Sequence, residues 1–383
     1  MPIRLTLLGT GSSSAVPDIS CVTAQNGRGC ETCRLAVQNP GGPNMRANTG
    51  AILRVPQSDG TEKTILIDAG KTFREQAIKL FPKLGLRKID ACLITPSGGG
   101  AIPSFDWQTL TEGKESWICN VRVLPVPVHH GVYFSDKSTP LISFGFLFNT
   151  EALYMSDVSF IPESSWQLLA KYVDLPPARA GANHNATSSA TAFHGCGAPL
   201  LEFASSPSWV SAVTKPRLLA LIIDCAGLKL YKSHFGLPQT IATSRRLGSP
   251  KTYFTNLGHG TSHECWLYFC QQYERGRQVK QTNEIPWFSS SSNKTSSIWA
   301  QWPESTEQRS HAEIYRGFNP IVEDHDVFCE RALVAIEEWD GKQLRKDTRP
   351  WCRPARDGMT LTWNEGEGLQ ARDRLGWDDE YHH

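Results

Sequence analysis

The order of apolar segments in the N-terminal quarter of the chain leaves room for few folds. Residues 3–8 form a short apolar strand that runs into the glycine- and serine-rich turn 9–14, where glycine permits backbone angles that other residues resist. Two more strands, at 49–55 and 64–68, flank a Pro-Gln-Ser-Asp-Gly turn signal. They predict an antiparallel hairpin.

A helix and another strand follow the hairpin. Apolar residues recur at helical spacing at Phe73, Ala77, Ile78 and Phe81. Gly85 ends this helix, and residues 89–95 predict a buried strand. The resulting order is β-β-α-β.

The later elements extend this order. Strands are predicted at 121–128, 141–148, 151–155 and 218–224, and helices at 238–247 and 263–273, the second with Ser262 as its N-cap. Strands dominate first and then alternate with helices, which predicts an α/β domain with helices covering the faces of sheets.

Composition divides the chain into a main domain and a C-terminal part. We expect a domain at 1–275 with an irregular insert at 174–215, a Ser-, Asn- and Gln-rich linker at 276–310, a helical extension at 311–365 and a polar tail at 366–383. The extension carries an apolar helix face formed by Phe328, Ala332, Ala335, Ile336 and Trp339. One helix cannot bury its own stripe, so this face should dock on the main domain.

Charge and hydropathy exclude several classes of function. The 383 residues carry a formal net charge of +1, and no run of five like charges offers a footprint for nucleic acid or an anionic membrane. We therefore expect a small substrate. No apolar stretch approaches the ~20 residues of a membrane span, and the N-terminus does not resemble a secretory signal. A soluble, cytoplasmic protein is expected, while the oligomeric state is open.

Five places at strand ends or in loops carry side chains with the chemistry of metal ligands or proton carriers: Asp68, His129-His130, Asp157, Asp224 with His234, and His259 with His263. His129 and His130 follow an apolar strand, so that one imidazole points to the strand's edge and the other away. Two adjacent histidines more often belong to the surface or the core of a protein than to a metal site. Asp157 ends another strand, where a carboxylate either bridges two cations or, more commonly, caps a turn. His259 and His263 face one way only in a helix, and the alternative is an N-terminal helix cap.

Three of the 11 cysteines, Cys21, Cys30 and Cys33, lie close together in a chain without an export signal. In a reducing compartment this spacing favours a metal site over a disulfide. Three thiolates fit tetrahedral zinc, with a histidine expected as the fourth ligand.

The motifs occur in the order of one family. They are Leu-Leu-Gly9-Thr-Gly11, the three cysteines, Asn44-Met-Arg46-Ala-Asn48, Ile-Asp68-Ala-Gly70, His129-His130-Gly131, Met-Ser-Asp157, Ile-Asp224-Cys225 and Ser-His234-Phe-Gly. In this order the chain resembles the metallo-β-lactamase-fold hydrolases related to the cyclic phosphodiesterase of bacterial phosphonate-degradation operons, in their fungal form. The resemblance covers 3–95, 99–172 and 217–273, returns at 328–362, and implies an αβ/βα four-layer sandwich.

The resemblance also implies roles. In this family two divalent ions are held by a His-x-His-x-Asp-His motif, a later His and a bridging Asp, and the last two correspond to His130 and Asp157. Asp224 and His234 lie near the scissile phosphate, where the histidine protonates the leaving oxygen. Asp68 orients metal ligands. Asn256 replaces one ligand, whereas His259 or His263 completes the cysteine site.

The His-rich motif itself is missing. It should follow Leu93-Ile94-Thr95, where this chain continues Pro-Ser-Gly-Gly-Gly-Ala. The simplest account is a deletion of some tens of residues, by a real truncation or an error in the gene model. The sandwich is therefore expected to be incomplete, with residues 96–106 as a glycine-rich bypass that leaves the apolar groups around Ile94 under-covered.

These expectations define two functions. The first is a metal-dependent hydrolase, phosphodiesterase-like and acting on a small phosphodiester-like substrate. It has zinc at the cysteine site and zinc or manganese at a residual catalytic site, and its activity is impaired by the missing ligands. The alternative is a non-catalytic remnant or binding protein that retains the structural zinc.

Overall fold

The computed structural model describes residues 2–24, 29–94, 109–133, 138–176, 217–279, 324–340, 349–364 and 370–372. The helices are α1 Ile19–Val22, α2 Glu31–Gln38, α3 Phe73–Leu84, α4 Glu163–Tyr172, α5 Leu237–Leu247, α6 His263–Glu274 and α7 His325–Asp340. The strands are β1 Ile3–Gly9, β2 Gly50–Pro56, β3 Glu62–Ile67, β4 Ala91–Leu93, β5 Ser116–Ile118, β6 Val121–Val132, β7 Pro140–Phe148, β8 Ala152–Met155, β9 Ala220–Asp224, β10 Thr252–Thr255, β11 Cys352–Pro354, β12 Thr360–Trp363 and β13 Gln370–Arg372.

The strands form two mixed sheets. The first has the order β13-β12-β1-β2-β3-β4, and the second has the order β11-β10-β9-β8-β7-β6-β5. β2 and β3 pair antiparallel, with Leu53 opposite Ile65, so the predicted hairpin is confirmed. β8, β9, β10 and β11 run parallel to one another.

Successive residues of a strand point to opposite faces of its sheet, so each sheet presents one apolar face to the other. The main core lies between these two faces. Leu5, Leu53 and Ile65 of the first sheet pack with Phe146 and Ile222 of the second sheet in one buried cluster. This shared cluster makes the two sheets the inner layers of a sandwich.

Helices cover both outer faces. On the first sheet, Leu8, Ile52 and Leu66 pack against Leu80 of α3. The outer face of the second sheet is covered by α4 and by the group α5, α6 and α7. The layer order is therefore αβ/βα, and the predicted fold class is confirmed.

The C-terminal segment contributes more than the predicted helix. The side chains of Phe328, Ala332 and Ile336 on α7 are buried against the α5 and α6 cluster, as the helix pattern predicts. In addition, β11 pairs with β10, and β12 pairs with β1. Residues beyond 350 thus supply strands to both sheets.

Several predictions fall outside the described residues. The glycine-rich stretch 96–106 lies wholly outside them, and the insert 174–215, the linker 276–310 and the tail 366–383 lie mostly outside them. Among the described residues, no helix is long and apolar enough to cross a membrane.

Candidate metal centres

The parallel strands of the second sheet collect polar residues at one edge. Asp224 ends β9, while Asp157 and Asn256 lie just beyond β8 and β10. Because the carboxyl ends of parallel strands meet at the same edge, these side chains converge. Asn256 Nδ2 donates a hydrogen bond to Asp157 Oδ1 at 3.1 Å, and the amide of Val158 donates to Asp224 Oδ2 at 3.1 Å.

Asp224 and His234 form an acid–imidazole pair in which the acid is buried and the imidazole is partly exposed. His234 Nδ1 lies 2.7 Å from Asp224 Oδ2, and their side chains are 17% and 0% exposed. Burial raises the pKa of Asp224 to about 7, against the opposing charge of His234. Burial disfavours the charged imidazole, but the charge and hydrogen bond of Asp224 outweigh it and raise the pKa of His234 to about 9. The imidazole is thus held in a fixed orientation with a proton on Nδ1.

His130 lies beside this pair. Its ring centroid is 4.9 Å from that of His234, at an interplanar angle of 73°. His130 Nδ1 lies 2.7 Å from the carbonyl oxygen of Ser233. A carbonyl only accepts, so Nδ1 carries the hydrogen and Nε2 of the neutral ring keeps its lone pair. Burial lowers the pKa of His130, which favours this neutral form.

The other member of the histidine pair has a different environment. The His129 ring packs on Phe160, with the ring centroids 5.2 Å apart, and the His129 amide donates to the Phe160 carbonyl at 2.9 Å. His130, Asp157 and His234 each offer one ligand atom within 4.8 Å of the others, whereas His129 is outside this group. The three residues are hereafter called the cleft site.

Asn256 is a buried residue that supports Asp157 of the cleft site. It has a left-handed backbone, with φ 58°, and its side chain is 2% exposed. Its amide nitrogen also donates to the Ser156 carbonyl, and its amide oxygen accepts from the Thr49 hydroxyl. Asn256 therefore holds Asp157 in place from the position where the resemblance expects a metal ligand.

Asp68 lies just beyond β3, also with a left-handed backbone at φ 56°. Its amide donates to the Leu93 carbonyl at 2.9 Å. Asp68 belongs to neither group of candidate ligands. Its part in orienting them stays a prediction.

The three cysteines converge on His259. The distances from His259 Nδ1 to the sulfurs of Cys21, Cys30 and Cys33 are 3.2, 3.5 and 3.8 Å. Cys30 is the N-cap of α2, and its sulfur accepts from the Cys33 amide at 3.4 Å. The hydrogen bond from the Cys33 thiol lowers the pKa of Cys30 to about 4. Three sulfurs and one nitrogen are the donor set of a closed tetrahedral zinc site. These four residues are hereafter called the cysteine site.

A buried arginine fixes the loop that carries His259. Arg46 is 1% exposed, and its guanidinium donates to the carbonyls of Gly258 at 2.6 Å and Thr261 at 3.2 Å. It also reaches the Leu257 carbonyl at 3.4 Å. The carbonyls on both sides of His259 are thereby hydrogen-bonded away from water.

His263 is a correction to the predicted ligand set. It is the first residue of α6, is 1% exposed, and its amide donates to Asn44 Oδ1 at 2.7 Å. Burial and the charges of Arg46 and Arg356 keep its pKa well below the ordinary value. The ring is in neither the cleft site nor the cysteine site. The helix begins after His259, so the two histidines do not share a helix face.

Sequence reasoning gave no role to the residues that support the two sites. Asn44 binds the start of α6 through both carboxylate oxygens of Glu264, at 3.0 and 2.8 Å. Asp357 accepts from the amides of Thr10 and Ala47 at 2.9 and 2.7 Å, which joins the C-terminal segment to the glycine turn. Asn44 and Arg46 belong to the motif that carried the resemblance, and that was the only signal for them.

Comparison with known proteins gives distant similarities. No known family and no curated protein matches the sequence. A solved diphosphatase of the PhnP family is 22% identical with a TM-score of 0.44, over 69% of this chain and 89% of that one. The metallo-β-lactamase fold protein YhfI from Bacillus subtilis is 8% identical with a TM-score of 0.43, over 95% and 100% of the two chains. The agreement with the fold expected from the sequence rests on the αβ/βα layer order of this chain, and not on these two distant similarities.

Proposed function

We propose that this chain is a metal-dependent hydrolase of the metallo-β-lactamase superfamily, phosphodiesterase-like, acting on a small phosphodiester-like substrate at the cleft site. The observation that carries the proposal is the convergence of His130, Asp157 and His234 in front of the buried carboxylate of Asp224. The pKa values of His130, His234 and Asp224 are perturbed, and perturbed groups that converge in one cleft are typical of functional sites.

The donor set of the cleft site fits a divalent ion. An imidazole and a carboxylate, here from His130 and Asp157, are ligand types of catalytic metal sites, which keep a position open for water or substrate. His130, Asp157 and His234 are all partly exposed, which gives small molecules access to them. A bound zinc or manganese ion would supply Lewis-acid chemistry and a water of lowered pKa.

The residues of the chain have distinct tasks in this proposal. Asn256 orients Asp157, and Asp224 fixes the ring of His234. The raised pKa of His234 keeps a proton on the imidazole near neutral pH. The resemblance assigns that proton to the leaving oxygen of the substrate. Activity is expected to be weak, because the sequence has no His-x-His-x-Asp-His segment after Thr95.

We propose zinc for the cysteine site. Its four donors come from α1, α2 and the loop before α6, so that an ion there joins segments distant in sequence. A site with four protein ligands leaves no position for substrate. Its contribution is therefore to stability.

Hydrolysis of bis(p-nitrophenyl) phosphate with manganese or zinc tests the proposed function. We expect slow, metal-dependent turnover that is abolished by Asp157→Asn and retained by the neighbouring control His129→Gln. A chain with a relative's His-rich loop grafted between Thr95 and Gly98 should turn over faster. Equal turnover by both chains would contradict the placement of the active site, and metal-independent turnover would contradict the proposed chemistry.

The second candidate is a non-catalytic binding protein that keeps only the structural zinc. The observation that favours it is the buried amide of Asn256 beside Asp157, at the position where the resemblance expects a metal-binding imidazole. It is supported if the chain binds zinc at the cysteine site and shows no turnover with any added metal. Translation of the genomic DNA between the codons of Thr95 and Pro96 separates the two candidates independently. An in-frame His-x-His-x-Asp there favours the enzyme.

A further inference from the structure

We infer that His234 is a metal ligand in this chain, and that His130, Asp157 and His234 bind one divalent ion without the His-rich segment. The inference deepens the proposed function, because it changes the task of one residue at the same site. It rests on the proposed function only for the location of that site. Binding of the ion is measurable whether or not the chain hydrolyses anything.

The spacing of the three ligand atoms carries the inference. All lie within 4.8 Å of one another. Ligands around one tetrahedral zinc, with bonds of about 2.0–2.1 Å, lie about 3.4 Å apart. Side-chain shifts on the order of 1 Å close this difference, and the rings of His130 and His234 are both partly exposed.

The hydrogen bonds of the two rings select the nitrogen that faces the ion. Nδ1 of His130 is engaged by the Ser233 carbonyl, and Nδ1 of His234 is engaged by Asp224, both at 2.7 Å. Each Nδ1 therefore carries the hydrogen, and Nε2 supplies the lone pair. A metal-binding histidine typically has its other ring nitrogen bound to a carbonyl or carboxylate in this way.

The charges of the site match a divalent ion. Asp157 contributes one negative charge in contact, and the fully buried Asp224 contributes a second one behind His234. Together they equal the charge of a divalent cation, and burial of an uncompensated charge is costly. His259 is not a ligand of this ion, because its ring lies among the three sulfurs of the cysteine site.

One consequence separates this use of His234 from proton donation. An imidazole whose Nε2 binds an ion has no proton at Nε2 to give to a leaving group. With a single ion bound, the proton has to come from water. His234→Gln should therefore affect the binding of metal and not only the rate of a reaction.

Cobalt binding by the full chain tests the inference. The protein is stripped with a chelator and titrated with Co²⁺, and bound metal is counted by elemental analysis and followed by absorption. We expect two equivalents per chain. The cysteine site gives a thiolate-to-cobalt charge-transfer band, and the cleft site gives visible bands without it. Asp224→Asn should weaken the second equivalent about 10- to 100-fold, and His234→Gln should abolish it.

The control and the folding check use the chain's own residues. His129→Gln changes the adjacent histidine outside the cleft site and should retain both equivalents. The charge-transfer band of the cysteine site reports folding in every variant, and His130→Gln gives a second test should His234→Gln not fold. A wild-type chain that binds one equivalent, or a His234→Gln chain that binds two with unchanged affinity, would overturn the inference. Loss of the second equivalent in the variant, without turnover by the wild type, would support the inference and reject the proposed hydrolase.

Discussion

The cysteine site and the cleft site lie at the two ends of one short segment but differ in how their ligands are held. Asn256 and His259 are three residues apart, and Asn256 supports the cleft site while His259 completes the cysteine site. The cysteine site has four donors, a helix cap and a loop fixed by a buried arginine. The cleft site has three donors and one buried acid behind them.

Because of this difference, the two sites depend differently on the segment expected after Thr95. The ligands of the cysteine site come from residues 21–33 and 259, so a gap after Thr95 leaves it complete. The cleft site consists of His130, Asp157 and His234, which lie at or near the ends of strands in the second sheet. If a metal-binding segment is missing after Thr95, as we propose, its loss removes ligands from the cleft site and none from the cysteine site.

The largest expected effect is at the cysteine site. Cys30→Ser removes one of the four donors and the cap of α2, so the chain loses zinc and its stabilisation. With free zinc at about 1,000 times the Kd, that stabilisation is about 4 kcal/mol. Urea unfolding with and without chelator measures it. Cys92→Ser, at an exposed thiol outside the site, should change little. An equal effect of both substitutions would reject a closed zinc site.

A smaller loss is expected when the support of that site is removed. Arg46→Met keeps much of the side-chain volume but leaves the carbonyls of Gly258 and Thr261 without their charged donor. We expect a decrease of about 3 kcal/mol in the free energy of unfolding, together with weaker zinc binding. The control is Arg34→Met, whose guanidinium is exposed and pairs with Glu31, and where the loss should stay below about 1 kcal/mol. If zinc affinity is unchanged in Arg46→Met, the loop is set by the metal rather than by the arginine.

The pH dependence of the metal-free chain tests the cleft site. The pKa of His234 is raised to about 9, above its value in an unfolded chain. The stabilisation from protonated His234 is therefore complete below about pH 6.5 and lost as the pH rises through about 9. Between pH 7 and 9.5, the wild type should lose on the order of 2 kcal/mol relative to His234→Gln. Parallel curves for the two proteins in chelator would show that the pair with Asp224 does not hold this proton.

The smallest effect is expected at Asn256. Asn256→Ala removes the donor to Asp157, and we expect metal binding at the cleft site to weaken about 10-fold, with the cysteine site unchanged. Asn120 also has a left-handed backbone, with φ 64°, but lies on the surface. Asn120→Ala therefore carries the same backbone cost without the effect on metal. Cobalt titration of both variants measures the difference, and equal affinities would remove Asn256 from the site.

Local pattern predicted most of the elements that position the two sites. The strand at 3–8 and the hairpin strands were found because apolar residues and turn signals alternate there, and the helix at 263–273 was found from its cap, Ser262. β10 (Thr252–Thr255) was missed because it is a strand through its pairing with β9 and β11. Such pairing comes from distant parts of the chain and leaves no local signal.

The site residues divide in the same way. The cysteine spacing and the strand-end acids were visible in the sequence, because ligand chemistry is local. The choice between His259 and His263 depended on where α6 begins. Arg46 acts through hydrogen bonds to residues far along the chain, such as Gly258, which is 212 residues away in sequence. Boundaries of helices and long-range hydrogen bonds are the features that pattern reasoning fixes least well.

The pairing of β12 with β1 has a consequence for how the protein is made. The hydroxyls of Thr6 and Thr360, one on each strand, are 2.9 Å apart and separated by 354 residues. Ribosomes add about 5–20 residues each second, so roughly 20–70 s pass between synthesis of the two strands. During that interval one edge of β1 has no partner strand, and the first sheet stays incomplete until β12 has been synthesised. The edge of β1 therefore remains open to other partners until β12 emerges from the ribosome.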